Sequence, residues 1–128
     1  MPPAMQPDAE LRLPAETAYV SVLRMTTAGI AARLDFTLDD IEDLRIAVGE
    51  ACALVLDGAD PDGSLQASYL VGDDELTVQI AADGAAAVEP DRDSFAWQVL
   101  SALCTRIETD SSAGRHAISL TVDSKSAG

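Results

Sequence analysis

The sequence predicts an α+β fold: a two-layer sandwich with three helices packed on one face of a mixed four-stranded sheet. Three observations predict it. Apolar residues alternate singly in four segments and recur every three or four positions in three others, in the order β-α-α-β-β-α-β. The chain is 128 residues long and 48% apolar, enough for one domain with its own core and no metal or disulfide to hold it. Strands that can gather into one sheet, with helices able to cover one of its faces, define two layers. The domain is expected over residues 9–123, with 1–8 a proline-rich arm and 124–128 a tail.

"AELRLPA" (9–15) alternates around Leu11 and Leu13, as a short strand does. The next helix is expected near 16–34, striped by Tyr19, Val20, Leu23, Ile30, Ala31 and Leu34, with Arg24 and Arg33 off the stripe. "FTLDDIEDL" opens the second helix. Thr37 is a natural N-cap, Thr37 with Asp40 forms a capping box, and Asp39, Asp40, Glu42 and Asp43 suit the positive end of the helix dipole. That helix carries Ile41, Leu44, Val48, Ala51, Cys52 and Val55 and should stop near Gly58, because "DGADPDGS" is rich in turn formers. Two alternating strands follow, 64–71 and 75–82, joined by a hairpin turn at Gly72-Asp73-Asp74. "DGAAAVEPDRD" reads as a loop. "SFAWQVLSALCTRIE" (94–108) reads as an apolar helix capped by Ser94, "DSSAGR" as a turn, and "HAISLTV" (116–122) as the last strand.

The charge balance narrows the function classes. Twenty-two acidic residues against eight basic ones give −14. Such a field repels nucleic acid, so direct DNA or RNA binding is not expected. It either keeps the protein soluble or draws in a basic partner. Cys52 and Cys104 lie in apolar runs without metal-ligand spacing and read as free thiols in a reducing, cytoplasmic setting. No segment reads as a signal peptide or a membrane span. The lone His116 has no nucleophile or second ligand beside it in sequence, and Trp97 reads as core or dimer packing.

One residue breaks the apolar pattern. Glu50 sits within "AVGEACALVL", and a carboxylate among apolar neighbours is paired, neutralised or functional unless its edge of the helix meets solvent. Glu50 and Leu54 are four apart and share a helix face, continued by Asp43 and Ala47.

"DLRIAVGEACALVL" resembles the N-box helix of the histidine-kinase-like (GHKL) ATPases, whose pattern in one branch is D-L-x-x-A-V-x-E-A-x-T-N-A. That branch is the bacterial anti-sigma factors with serine-kinase activity. The likeness extends to the element order, to "LDFTLDDIEDL" and to "SFAWQVLSALCTRIET", the last similar to anti-sigma factors of actinobacterial alternative sigma factors. The resemblance implies a general base at Glu50, acting on a serine hydroxyl of an anti-anti-sigma protein. It puts Leu54 where the family has a magnesium-ligating asparagine, and an isobutyl group offers no oxygen. The D-x-G-x-G motif that reads adenine falls on "AADGAAA". Either Gly84 is its first glycine and Ala82 replaces the aspartate, or Asp83 is the aspartate and Ala85 and Ala87 replace the glycines. The phosphate-cradling glycines are replaced around Ser94 and Ala96, and a G-T-T motif becomes "GRHAISL" with Gly114 out of register. Arg24 matches a first-helix arginine that reaches an acidic site on the sigma factor.

The resemblance therefore implies a homodimeric anti-sigma factor that sequesters an alternative sigma factor by steric means and is released by an anti-anti-sigma (STAS) protein. No cofactor is expected beyond loose magnesium-ATP in a degraded pocket formed by Leu54, Asp83 and Gly84. The alternative is an active serine kinase using Glu50. A partner-binding module unrelated to sigma factors is the third reading.

Overall fold

A computed structural model describes residues 6–84, 91–112 and 114–124. Five strands, β1 (Ala9–Pro14), β2 (Ser64–Gly72), β3 (Glu75–Asp83), β4 (Arg106–Ser112) and β5 (Arg115–Asp123), form one sheet in the order β1-β2-β3-β5-β4. The helices are α1 (Val20–Arg33), entered through a short 3-10 turn at Thr17–Tyr19, α2 (Leu38–Leu56) and α3 (Phe95–Leu103). The α+β two-layer fold is the one expected. The sheet differs from expectation in having five strands, all paired antiparallel, instead of four in a mixed arrangement.

The discrepancy has one source. The spacing of Leu103 and Ile107 continues a helical stripe, so 94–108 read as one helix. The chain instead turns extended at Cys104 (φ −107, ψ 143), and "RIETDSS" forms β4, exposing Arg106, Glu108 and Asp110 and half-burying Ile107 and Thr109. A missed strand also inverts the direction of everything after it. Without β4, β5 would return from a helical crossover parallel to β3. With β4 at the edge, β5 folds back between β3 and β4 and runs antiparallel to both.

Alternation puts Leu65, Ala67 and Tyr69 of β2, Leu76, Val78 and Ile80 of β3, and Ile118, Leu120 and Val122 of β5 on the helix side, all buried. The other face carries Gln66, Ser68, Thr77, Gln79 and Ser119, all half-buried. From the helix layer, Leu23, Leu44, Val48, Ala51, Val55 and Leu100 complete the core. Each fully buried Leu, Ile or Val is worth roughly 1.5–3 kcal/mol over an exposed one. A polar link joins the layers. Thr27 Oγ1 donates to the Leu23 carbonyl at 2.8 Å and lies 2.7 Å from Tyr69 Oη. Burial pushes the Tyr69 phenol above its ordinary value, partly offset by this bond.

The Asp8 N–H donates to the Tyr69 carbonyl at 2.7 Å, and the Ser124 N–H donates to the Asp74 carbonyl at 2.7 Å. The β2–β3 hairpin turns on Asp73 and Asp74, with Asp74 at φ 59, a conformation Asp tolerates better than most residues. Among the described residues no helix is long and apolar enough to cross a membrane.

Candidate functional site

The phase of α2 decides where its side chains point, and its start is fixed twice. The Asp40 N–H donates to Thr37 Oγ1 at 3.1 Å, and the Thr37 N–H donates to Asp40 Oδ2 at 3.3 Å, the capping box the sequence predicts. From there Leu44, Ala47, Val48, Ala51, Cys52 and Val55 turn into the core. The helix ends at Leu56, two residues before Gly58, whose φ of 80 takes the chain into the left-handed region as a helix terminator requires.

Glu50 lies off the core face. It is half-buried, and among the described residues its carboxylate has no side-chain hydrogen bond or ion pair. Leu54, one turn on, is half-buried and packs its apolar surface against the core edge. It also lines an open cleft of about 480 Å³ with Thr17, Val20, Gly49, Ala53, Leu56 and Asp57. It opens between the start of α1 and the C-terminal half of α2.

Arg24 lies against Gly49, one of the residues that line that cleft. A methyl group built on Gly49 would lie 3.6 Å from Arg24 Cδ and 3.7 Å from Nε, so the arginine stem lies along the bare backbone of α2. The residue is half-buried, yet its Nε is shut off from solvent and has no hydrogen-bond partner among the described residues. Its charge acts on Cys52 across the helix pair. Burial pushes the Cys52 thiol up to about 12 against a smaller downward pull from Arg24.

Asp83 and Gly84 lie beyond the far end of α2 and have structural partners. Asp83 Oδ2 accepts the Ser64 N–H at 3.0 Å, and the Asp83 carbonyl accepts the Asp60 N–H at 2.7 Å. The Gly84 N–H donates to the Gly114 carbonyl at 2.8 Å, and a Cβ on Gly84 would press to 3.2 Å from the Gly58 carbonyl oxygen. The dipeptide thus ties the turn after α2 to the end of β3 and to the β4–β5 turn. Ala82, the other candidate for the motif aspartate, is a core methyl at 1% exposure. Ala85 and Ala87 lie outside the described residues.

Other candidates resolve into packing. Ser94 caps α3 by accepting the Trp97 N–H at 3.1 Å. Trp97 is buried, with the Arg92 guanidinium 4.6 Å over its ring. His116 is half-buried on β5, opposite Ala82 of β3 and Ser111 of β4. Both cysteines are free. Cys52 is buried and Cys104 half-buried, and burial raises the Cys104 thiol to about 11.

The structure therefore brings Glu50, Leu54 and Arg24 to the outer surface of α2 and its flank, and keeps Asp83 and Gly84 behind the turn that follows. Sequence reasoning missed the cleft wall formed by Thr17, Val20, Ala53, Leu56 and Asp57. A signal was present. Gly49 and Ala53 stand four apart and leave one side of α2 without bulk.

A five-stranded antiparallel sheet under three helices, with an acid on the second helix, defines a class. The chain belongs to the histidine kinase-like ATPase domain family, whose sequence model matches residues 13–115. Within it, the chain is 42% identical over 81 residues to the serine-protein kinase RsbW of Halalkalibacterium halodurans, covering 62% of this chain and 50% of that protein. It is 40% identical over 78 residues to the serine-protein kinase RsbW of Bacillus subtilis, covering 59% and 49%. The chain spans about half the length of the curated relatives it matches. The fold is also that of a crystal structure of the RsbU and RsbW domains of Rv1364c from Mycobacterium tuberculosis, with a TM-score of 0.68, 18% identity, and 94% of this chain and 32% of that one covered.

Proposed function

We propose that this protein is an anti-sigma factor of the partner-switching kind. It holds an alternative sigma factor and keeps it from core RNA polymerase. A STAS-type antagonist releases it by competing for the same surface, and the holding unit is a homodimer joined through β1 and α1. The chemistry is steric: one partner excludes another, and the affinities of the two oppose each other. A net charge of −14 speeds capture of a basic partner.

The observation that carries this reading is the composition of the outer surface of α2. Where magnesium needs a hard oxygen, Leu54 presents a methyl-bearing side chain packed on the core edge. Ala82 is buried, and Asp83 is engaged by the Ser64 backbone. These residues do not fit magnesium-ATP. Glu50 is then a polar contact in a reshaped pocket. Calorimetry against magnesium-ATP, run beside a candidate alternative sigma factor, tests the reading. Submicromolar binding of the sigma factor with no heat from the nucleotide supports it; nucleotide binding with no sigma factor bound defeats it.

A second reading, an active serine kinase, draws on two observations. Glu50 is half-buried with an uncommitted carboxylate, and the relatives carry the name serine-protein kinase. Transfer of labelled phosphate to a STAS partner, lost in Glu50→Gln, would establish it in place of the first.

A further inference from the structure

The sheet face turned away from the helices carries a cavity of about 250 Å³ whose polarity no packing demand explains. Glu10 of β1 and Arg115 of β5, both exposed, line it together with half-buried Gln66, Ser68 and Leu70 of β2 and Gln79 of β3. Arg115 is held in place. It crosses β3, where Ala81, the ladder partner of Gln66, is 2% exposed, and its Nη2 donates to Gln66 Oε1 at 2.8 Å. Among the described residues that is its one side-chain bond, so most of the guanidinium donors stay open. Glu10, Ser68 and Gln79 lie side by side on three adjacent strands. Among the described residues none of these three side chains has a hydrogen-bond or ion-pair partner. Glu10 sits diagonally from Gln66, and such neighbours are about 7–8 Å apart. The carboxylate and the guanidinium thus share one cavity without pairing.

We propose that this cavity binds a free dipeptide. Its ammonium meets the Glu10 carboxylate, its carboxylate meets the Arg115 guanidinium, and its peptide bond meets the Ser68 hydroxyl and the Gln79 amide. Charge decides the class first. Opposite charges that do not neutralise each other accept a ligand carrying both, and the guanidinium fork suits a carboxylate. A dication or a dianion satisfies one end and is repelled at the other. Length decides next. An extended chain spans at most about 3.3–3.6 Å per residue, so a single amino acid falls short of the gap and two residues fill it. Between the ends, a hydroxyl and a primary amide each donate and accept, which is what a peptide bond requires. Leu70 is the apolar contact for a small side chain. The cavity lies below the roughly 300–1,000 Å³ of sites for drug-sized ligands, as a ligand this small requires. The site is on the opposite face of the sheet from Glu50 and stands whether or not the chain binds a sigma factor.

Titration of the isotope-labelled full chain with alanylalanine, followed by NMR, tests this. The side-chain amide signals of Gln66 and Gln79 should shift. N-acetylated and C-amidated alanylalanine, each lacking one end charge, should bind at least fivefold more weakly. Two variants at exposed positions make the assignment specific. Glu10→Gln should bind the free and the acetylated dipeptide equally and still prefer a free carboxylate. Arg115→Gln should bind the free and the amidated dipeptide equally and still prefer a free amine. Unfolding removes both preferences together and cannot produce these opposite losses. ε-Aminocaproic acid carries both charges at a similar separation without a peptide bond, and it should bind at least fivefold more weakly than alanylalanine. No shift at either glutamine amide, equal binding of a blocked dipeptide or of ε-aminocaproic acid by the wild type, or unchanged end preferences in the variants overturns the proposal. Tighter binding of the amidated than of the free dipeptide overturns it as well, because it shows only the attraction of a cation to a chain of net charge −14.

Discussion

The two halves of α2 follow different rules. In the first half every demand of a stable helix is met. Thr37 and Asp40 satisfy each other's backbone N–H groups, Asp39 and Asp40 complement the dipole, and Leu44, Ala47 and Val48 are fully buried. In the second half Ala51, Cys52 and Val55 keep the core face, but other demands are broken. Gly49 sits in a helix interior, Ala53 is exposed, Leu54 is half-exposed, and Asp57 opposes the dipole. A glycine in mid-helix costs roughly 0.5–1 kcal/mol against alanine. Local rules are broken where something other than stability is selected, and the broken half is the one that borders the cleft.

The largest effect should separate the halves most plainly. Leu44→Ala should destabilise the protein by about 2–5 kcal/mol in urea unfolding, because a fully buried leucine leaves a cavity behind. Leu54→Ala should cost about 1 kcal/mol, because part of that side chain already faces water. Equal costs would mean that the second half of α2 is ordinary core and the contrast is false.

Next come the two ends of the helix, where the signs differ. Thr37→Ala removes the capping box and should cost about 1 kcal/mol. Asp57→Lys should instead stabilise by about 0.3–1 kcal/mol at low ionic strength, an effect that fades with salt. Thermal melts at two salt concentrations measure both. Destabilisation by Asp57→Lys would show that the acid has a structural partner and is not a cost to the free protein.

The core face of α2 was legible from sequence, and the surroundings of its outer face were not. Thr37, Asp40 and the stripe from Ile41 to Val55 announce a capped amphipathic helix, and period-two alternation gave β2, β3 and β5 nearly to the residue. β4 escaped because Leu103 and Ile107 hold helical spacing on both sides of a backbone break that no residue type marks. The loss of β4 also misdirected β5. At the site, the family pattern picked out Glu50, Leu54 and Arg24 as positions, but only coordinates reveal their neighbours. Arg24 lies along Gly49 because that residue has no side chain, and pattern matching at Arg24 says nothing about Gly49. Asp83 shows the limit most clearly. As a letter it is half of a nucleotide motif, and as a side chain it caps the start of β2 through Ser64.

The smallest expected effect tests Cys52, on the core face of the second half of α2. Its thiol is pushed from an ordinary value near 9.0 up to about 12 by burial, so the folded chain holds the proton that the unfolded chain releases. The unfolded state therefore binds fewer protons as pH rises, and stability falls. The contribution is fully present below pH 9 and is lost progressively toward pH 12. Between pH 7 and 9 the loss is small, under about 0.5 kcal/mol, since only half of the unfolded thiols are ionised at the top of that range. Cys104, raised to about 11 at the C-cap of α3, adds a term of the same sign. The urea midpoint should drift downward over this range in the wild type, less in Cys52→Ala, and least in Cys52→Ala with Cys104→Ala. For the same reason iodoacetamide at pH 8 should label neither thiol in the folded chain and both in urea. Rapid native labelling of Cys52 alone would mean that the Gly49–Ala53 side of α2 opens on its own, which would assign the cleft to local unfolding instead of to a built surface.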